Sequence, residues 1–263
     1  MKPNRLRQKL DAGETTVSTN IYTSSPDVVE MLGHAGTIDY VEFEAEYVPY
    51  DLHWMDHFAR VTELFPHLSA MIKIDQEPRT FMAARAIGAG IQNVLFADVR
   101  TPEEARQCVA AMKAETPGSV GHQGYGDRRV ARYFLDGPAN YVSILENSVV
   151  ALMIEKKSAV DNLEAILDVE GIDMVQFGAA DFSLNIGKPG QWEDPAVTAA
   201  KNRVIRTSLK MGVQPKVGIH SPEDARQYLD MGVRHFIMGG DLGILYSFWK
   251  EKGQKLQDII AGH

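Results

Sequence analysis

Val149-Val-Ala-Leu-Met-Ile-Glu155 and Met174-Val-Gln-Phe-Gly-Ala-Ala-Asp181, with the amphipathic stretch 159–167 between them, decide the fold of this chain. The apolar residues ahead of each acid run on without alternation, as in strands buried on both faces, and such strands belong to parallel sheets covered by helices. The amphipathic stretch supplies the helical crossover that a parallel pair requires. Each acid closes its run and is followed by polar, turn-forming sequence, which puts Glu155 and Asp181 at C-terminal strand ends. In a barrel of parallel strands that is the end where chemistry is built.

The same alternation extends in both directions. Candidate strands fall at 15–19, 40–46, 70–74, 93–96, 149–154, 174–177, 215–219 and 235–238. Helical patterns fall at 26–32, 52–64, 79–87, 102–114, 159–167, 195–211, 222–231 and 242–260. Eight strands alternating with helices predict an α/β fold, a (β/α)8 TIM barrel forming a single domain over residues 1–263. A short helix at 4–10 precedes the first strand and is placed to plug the barrel bottom. Thr101-Pro-Glu-Glu-Ala-Arg-Gln107 recurs as Ser221-Pro-Glu-Asp-Ala-Arg-Gln227, a helix start used twice that carries no function of its own. No linker or composition break divides the chain. Its one irregular stretch, 115–137, holds Gly118, Gly121, Gly124 and Gly126 with Arg128 and Arg129, and a loop that long is usually functional or mobile.

Apolar residues make up 44% of the 263 and charged residues 24%, the composition of a soluble globular protein with ample core. A formal charge of −8 argues against a nucleic-acid surface, which needs clustered Lys and Arg. Cys108 stands alone, so neither a disulfide framework nor a zinc cluster is expected, and it reads as a small core residue. The N-terminus lacks the apolar stretch of a signal peptide, and no run approaches the ~20 apolar residues of a membrane span. A cytoplasmic protein acting on small molecules, without nucleic-acid or membrane partners, is the expectation.

Glu155 and Asp181 are hard oxygen donors, and two such groups on neighbouring strand ends hold a divalent cation while leaving most of its shell to substrate. An acid after a strand also serves as the N-cap of the next helix, and Asp181-Phe-Ser fits that role too. Glu42, Glu44 and Glu46 alternate, so they share one side of their strand. Either that face is exposed, or the three carboxylates are neutralised by a cation or by a partner such as Lys73. Glu46, at the strand's C-terminal end, is the functional candidate of the three. Lys73 sits inside the apolar run Met71–Ile74, where a lysine needs an anion or a reactive role. It could bind a substrate carboxylate, pair with the glutamates or form a Schiff base. In the Gly-rich stretch, Arg128 and Arg129 could clamp a carboxylate or phosphate, and His122 is the histidine placed to touch a ligand. His53 and His57 are four apart but lack the zinc-protease pattern and read as surface residues.

From Met153 to Gly187 the chain closely resembles the HpcH/HpaI aldolase family, the metal-dependent pyruvate aldolases related to citrate lyase β subunits. Segments 40–46, 89–99, 126–128 and 236–241 also have family counterparts. The resemblance implies Mg²⁺, Mn²⁺ or Co²⁺ held by Glu155 and Asp181. It implies a 2-oxo acid, pyruvate, whose carboxylate is seated by backbone around Ala180, by Lys73 and by Arg128. It also implies a carbon–carbon lyase, an aldolase making or cleaving a 4-hydroxy-2-oxo acid through a pyruvate enolate and an aldehyde. Finally, it implies a homo-oligomer, trimer or hexamer, whose C-terminal helix is exchanged between subunits.

The departures concern proton transfer. Tyr47 stands where family aldolases carry a histidine, and Gly88 where that histidine's aspartate partner falls. Lys73 replaces the arginine that clamps pyruvate, and Met153 replaces a glutamine. His122-Gln-Gly124-Tyr125 replaces Tyr-Pro-Pro. The metal site is kept while the acid–base machinery is changed. Tyr47 and Glu46 are the expected proton-handling groups, and Tyr47 needs a lowered pKa to serve as a base. The alternatives are 2-oxo acid decarboxylation or other enolate chemistry on the same metal site, a Schiff-base aldolase using Lys73, and a non-catalytic 2-oxo acid-binding paralogue.

Overall fold

Strands that are apolar on both sides are covered twice here, by helices outside and by one another within. In the computed structural model, which describes residues 2–125, 129–131 and 140–262, eight parallel strands close into a barrel in chain order. They are β1 (Thr16–Ile21), β2 (Tyr40–Glu44), β3 (Ser69–Ile74), β4 (Asn93–Phe96), β5 (Val149–Ile154), β6 (Met174–Phe177), β7 (Gln214–Gly218) and β8 (His235–Gly240). The closing pair is β1 with β8, in register at Thr16 and His235. The predicted (β/α)8 barrel is the observed fold.

Helices α2 (Pro26–Ala35), α3 (Leu52–Glu63), α4 (Arg79–Ala89) and α5 (Pro102–Met112) cover the first half of the barrel, and α10 (Pro195–Lys210) and α11 (Ala225–Met231) belong to the second. Against them pack the outward residues of the strands. Phe43, for example, lies 5.6 Å from Trp54 and 6.0 Å from Phe58, ring centre to ring centre. The helix expected at 159–167 is two short ones, α7 (Lys157–Asp161) and α8 (Leu163–Leu167), meeting at Asn162. Two further short helices, α6 (Tyr141–Glu146) and α9 (Ala179–Asn185), were not anticipated, because five to seven residues hold too few turns to show a period.

The barrel interior has two zones. At the N-terminal end Tyr40, Met71, Leu95, Val149, Ala151 and Met174 form an apolar cluster with Leu6, from α1 (Arg5–Asp11). Leu6 N–H donates to Ser69 Oγ at 3.1 Å, and Asn4 Nδ2 donates to Asn93 Oδ1 at 2.8 Å, so α1 closes the barrel bottom as expected. Above this layer the interior is charged. Glu42 pairs with Lys216, both fully buried, and Glu44 lies beside them. The alternating glutamates therefore point inward, while Val41, Phe43 and Ala45 join the outer core beneath the helices. The strand itself stops at Glu44. Tyr47 N–H bonds back to Glu44 O at 3.0 Å, and the turn it forms carries Glu46 to the barrel mouth.

The last helix, α12 (Asp241–Ala261), is 21 residues long, roughly 30 Å. Asp241 fixes its start by accepting from Tyr22 N–H at 3.0 Å and Thr23 N–H at 3.1 Å. Beyond Asp241 none of its residues is buried, and Leu242, Ile244, Tyr246, Phe248, Trp249 and Ile260 are all exposed.

Burial and the neighbouring Glu42 raise the Glu44 pKa to about 8, against the opposing pull of Lys73 and Lys216. The unfolded chain releases that proton in the ordinary carboxylate range, so above it the native state holds a proton the unfolded state lacks. Stability from this group is thus full at low pH and is lost as pH rises through the folded value. Glu44→Gln keeps the shape of the protonated acid without the titration. Its urea midpoint should fall less between about pH 5 and about pH 9 than that of the parent protein, measured by circular dichroism.

Candidate active site

The C-terminal mouth gathers groups from five consecutive strand ends, β2 to β6. Glu155 follows β5 directly and is 2% exposed. Its Oε1 accepts the backbone N–H of Asp98, beyond β4, at 2.8 Å. Its Oε2 lies where a Cβ on Gly178 would stand, only 2.6 Å away, so the glycine after β6 is what lets this carboxylate fit. Asp181 sits in the first turn of α9, immediately beyond β6, and is partly exposed.

Beside this pair lie the residues of β3 and of the turn after β2. Lys73 Nζ is 2.7 Å from Glu46 Oε2, donates a close hydrogen bond to the Tyr47 hydroxyl oxygen, and lies 4.2 Å from the centre of the Tyr47 ring. Burial opposes its charge, but Glu155, Tyr47 and Glu44 around it, with Glu46 in hydrogen-bond contact, outweigh that and hold its pKa well above the usual lysine value. Lys73 is therefore a fixed ammonium, the counter-charge of the interior carboxylates. That geometry fits an ion pair or a carboxylate ligand and opposes a Schiff base, which needs a free amine. Burial of the hydroxyl end, with Glu46 and Glu155 beyond it, raises the Tyr47 pKa despite Lys73. Tyr47 is thus a proton-bearing donor in this state, and the lowering that a base would require is absent.

Glu155 and Asp181 suit a divalent cation. Burial raises the Glu155 pKa, opposed by Lys73 and the Asp98 N–H and reinforced by Asp181 and Glu46, so the charge of this carboxylate is only partly compensated. Among the described residues nothing donates a hydrogen bond to its Oε2, and the two acids offer hard oxygen donors to a cation. No group of three or more His, Cys, Asp or Glu able to hold a metal occurs among the described residues.

Five of the expected residues, Glu155, Asp181, Lys73, Glu46 and Tyr47, come together at the mouth, with Ala180 exposed next to Asp181. His122 does not join them. Its N–H donates to Ala110 O at 2.8 Å in the last turn of α5, a helix that returns the chain to the opposite end of the barrel. Neighbouring Arg129 is anchored there too, donating to Glu63 Oε1 at 3.0 Å and Ala89 O at 3.1 Å. The crossover geometry explains the correction, since a loop after a helix starts at the end where strands begin. Arg128 lies outside the described residues.

The sequence reading passed over Asp98, Arg100, Lys156 and Lys216. Asp98 closes the apolar run of β4 just as Glu155 closes β5, and that pattern was the available signal. Lys216, like Lys73, is a lysine inside an apolar strand. For Lys156 and Arg100 no sequence signal separates them from surface charges.

A closed parallel barrel with two carboxylates at adjacent strand ends and a buried lysine beside them defines a barrel enzyme that handles anionic small molecules. Residues 23–247 match the HpcH/HpaI aldolase/citrate lyase family, and the chain belongs to that family. It is 30% identical to the 5-keto-4-deoxy-D-glucarate aldolase of Klebsiella pneumoniae, over 98% of this chain and 97% of that protein. A solved HpcH/HpaI aldolase/citrate lyase family structure from Burkholderia cenocepacia aligns with TM-score 0.88 at 25% identity, over 97% of this chain and 99% of that one. Macrophomate synthase shares the fold, with TM-score 0.83 at 19% identity over 99% of this chain and 91% of that one. The chain is an aldolase-type carbon–carbon lyase acting on small molecules, of the metal-dependent class.

Replacing Lys73 by Met leaves Glu46 without its ion-pair partner and removes the positive field at Glu155. Lys73→Met should destabilise the fold by about 3–5 kcal/mol in urea unfolding. Borohydride reduction of the parent protein with pyruvate should leave Lys73 unlabelled by mass spectrometry.

Proposed function

We propose that this chain makes or cleaves a 4-hydroxy-2-oxo acid, exchanging it with pyruvate and an aldehyde. Mg²⁺, Mn²⁺ or Co²⁺ would be held by Glu155 and Asp181. The observation that carries the reading is Glu155, buried, fixed through one oxygen by Asp98 and offering the other beside Asp181. When bound, a divalent cation there supplies Lewis acidity to the keto oxygen, which stabilises enolate charge.

The chain's own residues supply the rest. Lys73 offers permanent positive charge to the substrate carboxylate, with Ala180 backbone and Arg128 as its partners in seating it. In the cleavage direction the C4 hydroxyl gives up its proton, the C3–C4 bond breaks, the aldehyde leaves, and C3 of the enolate regains a proton. Glu46 at 2.7 Å from Lys73 and the Tyr47 hydroxyl are the groups in place to take and return protons, with Lys73 holding both. Tyr47 acts as donor in this scheme, consistent with its raised pKa.

Decarboxylation of a 2-oxo acid is the second reading, favoured by Tyr47 and Gly88 at the positions of the family's histidine and aspartate. Where the carboxylate lost lies β to the keto group, as in oxaloacetate, loss of CO₂ yields the same enolate without removal of a methyl proton. The proposal also covers assembly and location: one domain across residues 1–263, a cytoplasmic protein, and a trimer or hexamer in which α12 packs on a neighbouring subunit. The exposed apolar side chains of α12 support that assembly. No helix among the described residues is long and apolar enough to cross a membrane.

With Mg²⁺ or Mn²⁺ the protein should exchange pyruvate methyl protons in D₂O, followed by NMR, and should release pyruvate from 4-hydroxy-2-oxo acids. EDTA should abolish both, and Glu155→Gln should lower turnover by about 100-fold or more. Neither exchange nor cleavage, with CO₂ release from oxaloacetate instead, would replace the aldolase reading by the decarboxylase one. Light scattering should show an oligomer, and Phe248→Glu with Trp249→Glu should shift it to smaller species.

A further inference from the structure

One charged side chain at the mouth has no part in that scheme. Lys156, next in sequence to Glu155, places Nζ 2.8 Å from Asp181 Oδ1 and 3.2 Å from Asp98 Oδ1, and its side chain is only 15% exposed. Asp98 is tied in turn to Arg100, 3.2 Å from its Oδ2, and through its backbone to Glu155. Its φ of 57° is the one positive value outside glycine among the described residues. Such a conformation persists where the surroundings over-determine it. Here the left-handed turn lets one residue donate N–H to Glu155 while its carboxylate faces Lys156. Asp98 Oδ1 is buried and accepts no hydrogen bond in this state, although the Lys156 ammonium is within ion-pair reach.

The lysine thus stands between two acids, hydrogen-bonded to one and close to the other. We infer that Lys156 is an internal counter-ion of the metal site: it holds Asp181 while no cation is bound, and turns to Asp98 when one arrives. This rests on the reading of Glu155 and Asp181 as metal ligands. An ammonium and a divalent cation sharing one carboxylate repel each other, and partial burial strengthens that repulsion. The protein therefore binds the cation weakly by itself. An anionic 2-oxo acid in the same mouth relieves the repulsion, so cation and anion raise one another's affinity by the same factor. Lys156 is a positioning residue in this scheme, acting through Asp181, and it makes the loaded site one that forms with substrate present.

The test is direct Mn²⁺ binding, by calorimetry and by the EPR signal of free Mn²⁺, with and without oxalate. The proteins are the parent chain, Lys156→Met, Lys156→Gln and Lys156→Arg, each checked for folding by circular dichroism. The Met and Gln variants should bind Mn²⁺ about tenfold more tightly than the parent in the absence of oxalate, and oxalate should enhance their binding several-fold less. Lys156→Arg, which keeps the charge, should resemble the parent. A lysine that merely supports the ligands gives the opposite sign, because loss of such a partner weakens metal binding by about 10–100-fold. Equal or weaker Mn²⁺ binding by the folded Met and Gln variants overturns the inference and leaves the metal reading standing. No Mn²⁺ binding by the parent chain, even with oxalate, overturns both.

Discussion

Closing eight strands into a barrel removes every strand edge and leaves side chains of the interior with one wet opening, the C-terminal mouth. Any charge placed inside must then be matched inside, because an unpaired buried ion costs several kcal/mol. This chain places Glu42, Lys73 and Lys216 in that interior as charges, beside a Glu44 whose raised pKa lets it keep its proton, and the rest of the site follows from how they are matched. Lys216 is matched to Glu42 deep in the barrel. Lys73 is matched higher up, to Glu46, and its field reaches Glu155. Glu155 has no ion-pair partner of its own among the described residues, and its one donor is the Asp98 N–H.

The same constraint divides the barrel along its axis. Below, Leu6 packs with Tyr40, Leu95, Val149 and the methionines of the inner layer into an apolar floor beneath the charges. Above, the strand ends lead into loops that carry further ion pairs, Lys156 with Asp181 and Arg100 with Asp98 among them. Gly178 and Gly90 mark where backbone had to give way to a charged group. A Cβ at Gly178 would meet Glu155, and one at Gly90 would meet Arg129 Nη1 at 2.5 Å. One serves the mouth and the other the bottom, which is why they carry different consequences for function.

Much of this was legible in the chain. The positions of β4, β5 and β6 follow from short, mainly apolar runs without strict alternation, as strands covered on both sides show. The candidacy of Glu155 and Asp181 follows from their place just past those runs. The glutamates of β2 were ambiguous, since a period of two fixes that they share a face and leaves open which face it is. The Gly–Arg stretch misled for a related reason. Its composition suits an anion site, yet its position after α5 puts the described part at the far end of the barrel, where Arg129 meets Glu63.

The sequence by itself therefore determined the barrel, its family and the two acids at neighbouring strand ends, since strand period, helix caps and a conspicuous motif are all local in the chain. Tertiary structure decided which charges face one another. Lys73 is 26 residues from Tyr47, Lys156 is 25 from Asp181, and Lys216 is 174 from Glu42. Pairings over such separations are set by barrel closure and strand register, to which no local pattern in the chain responds.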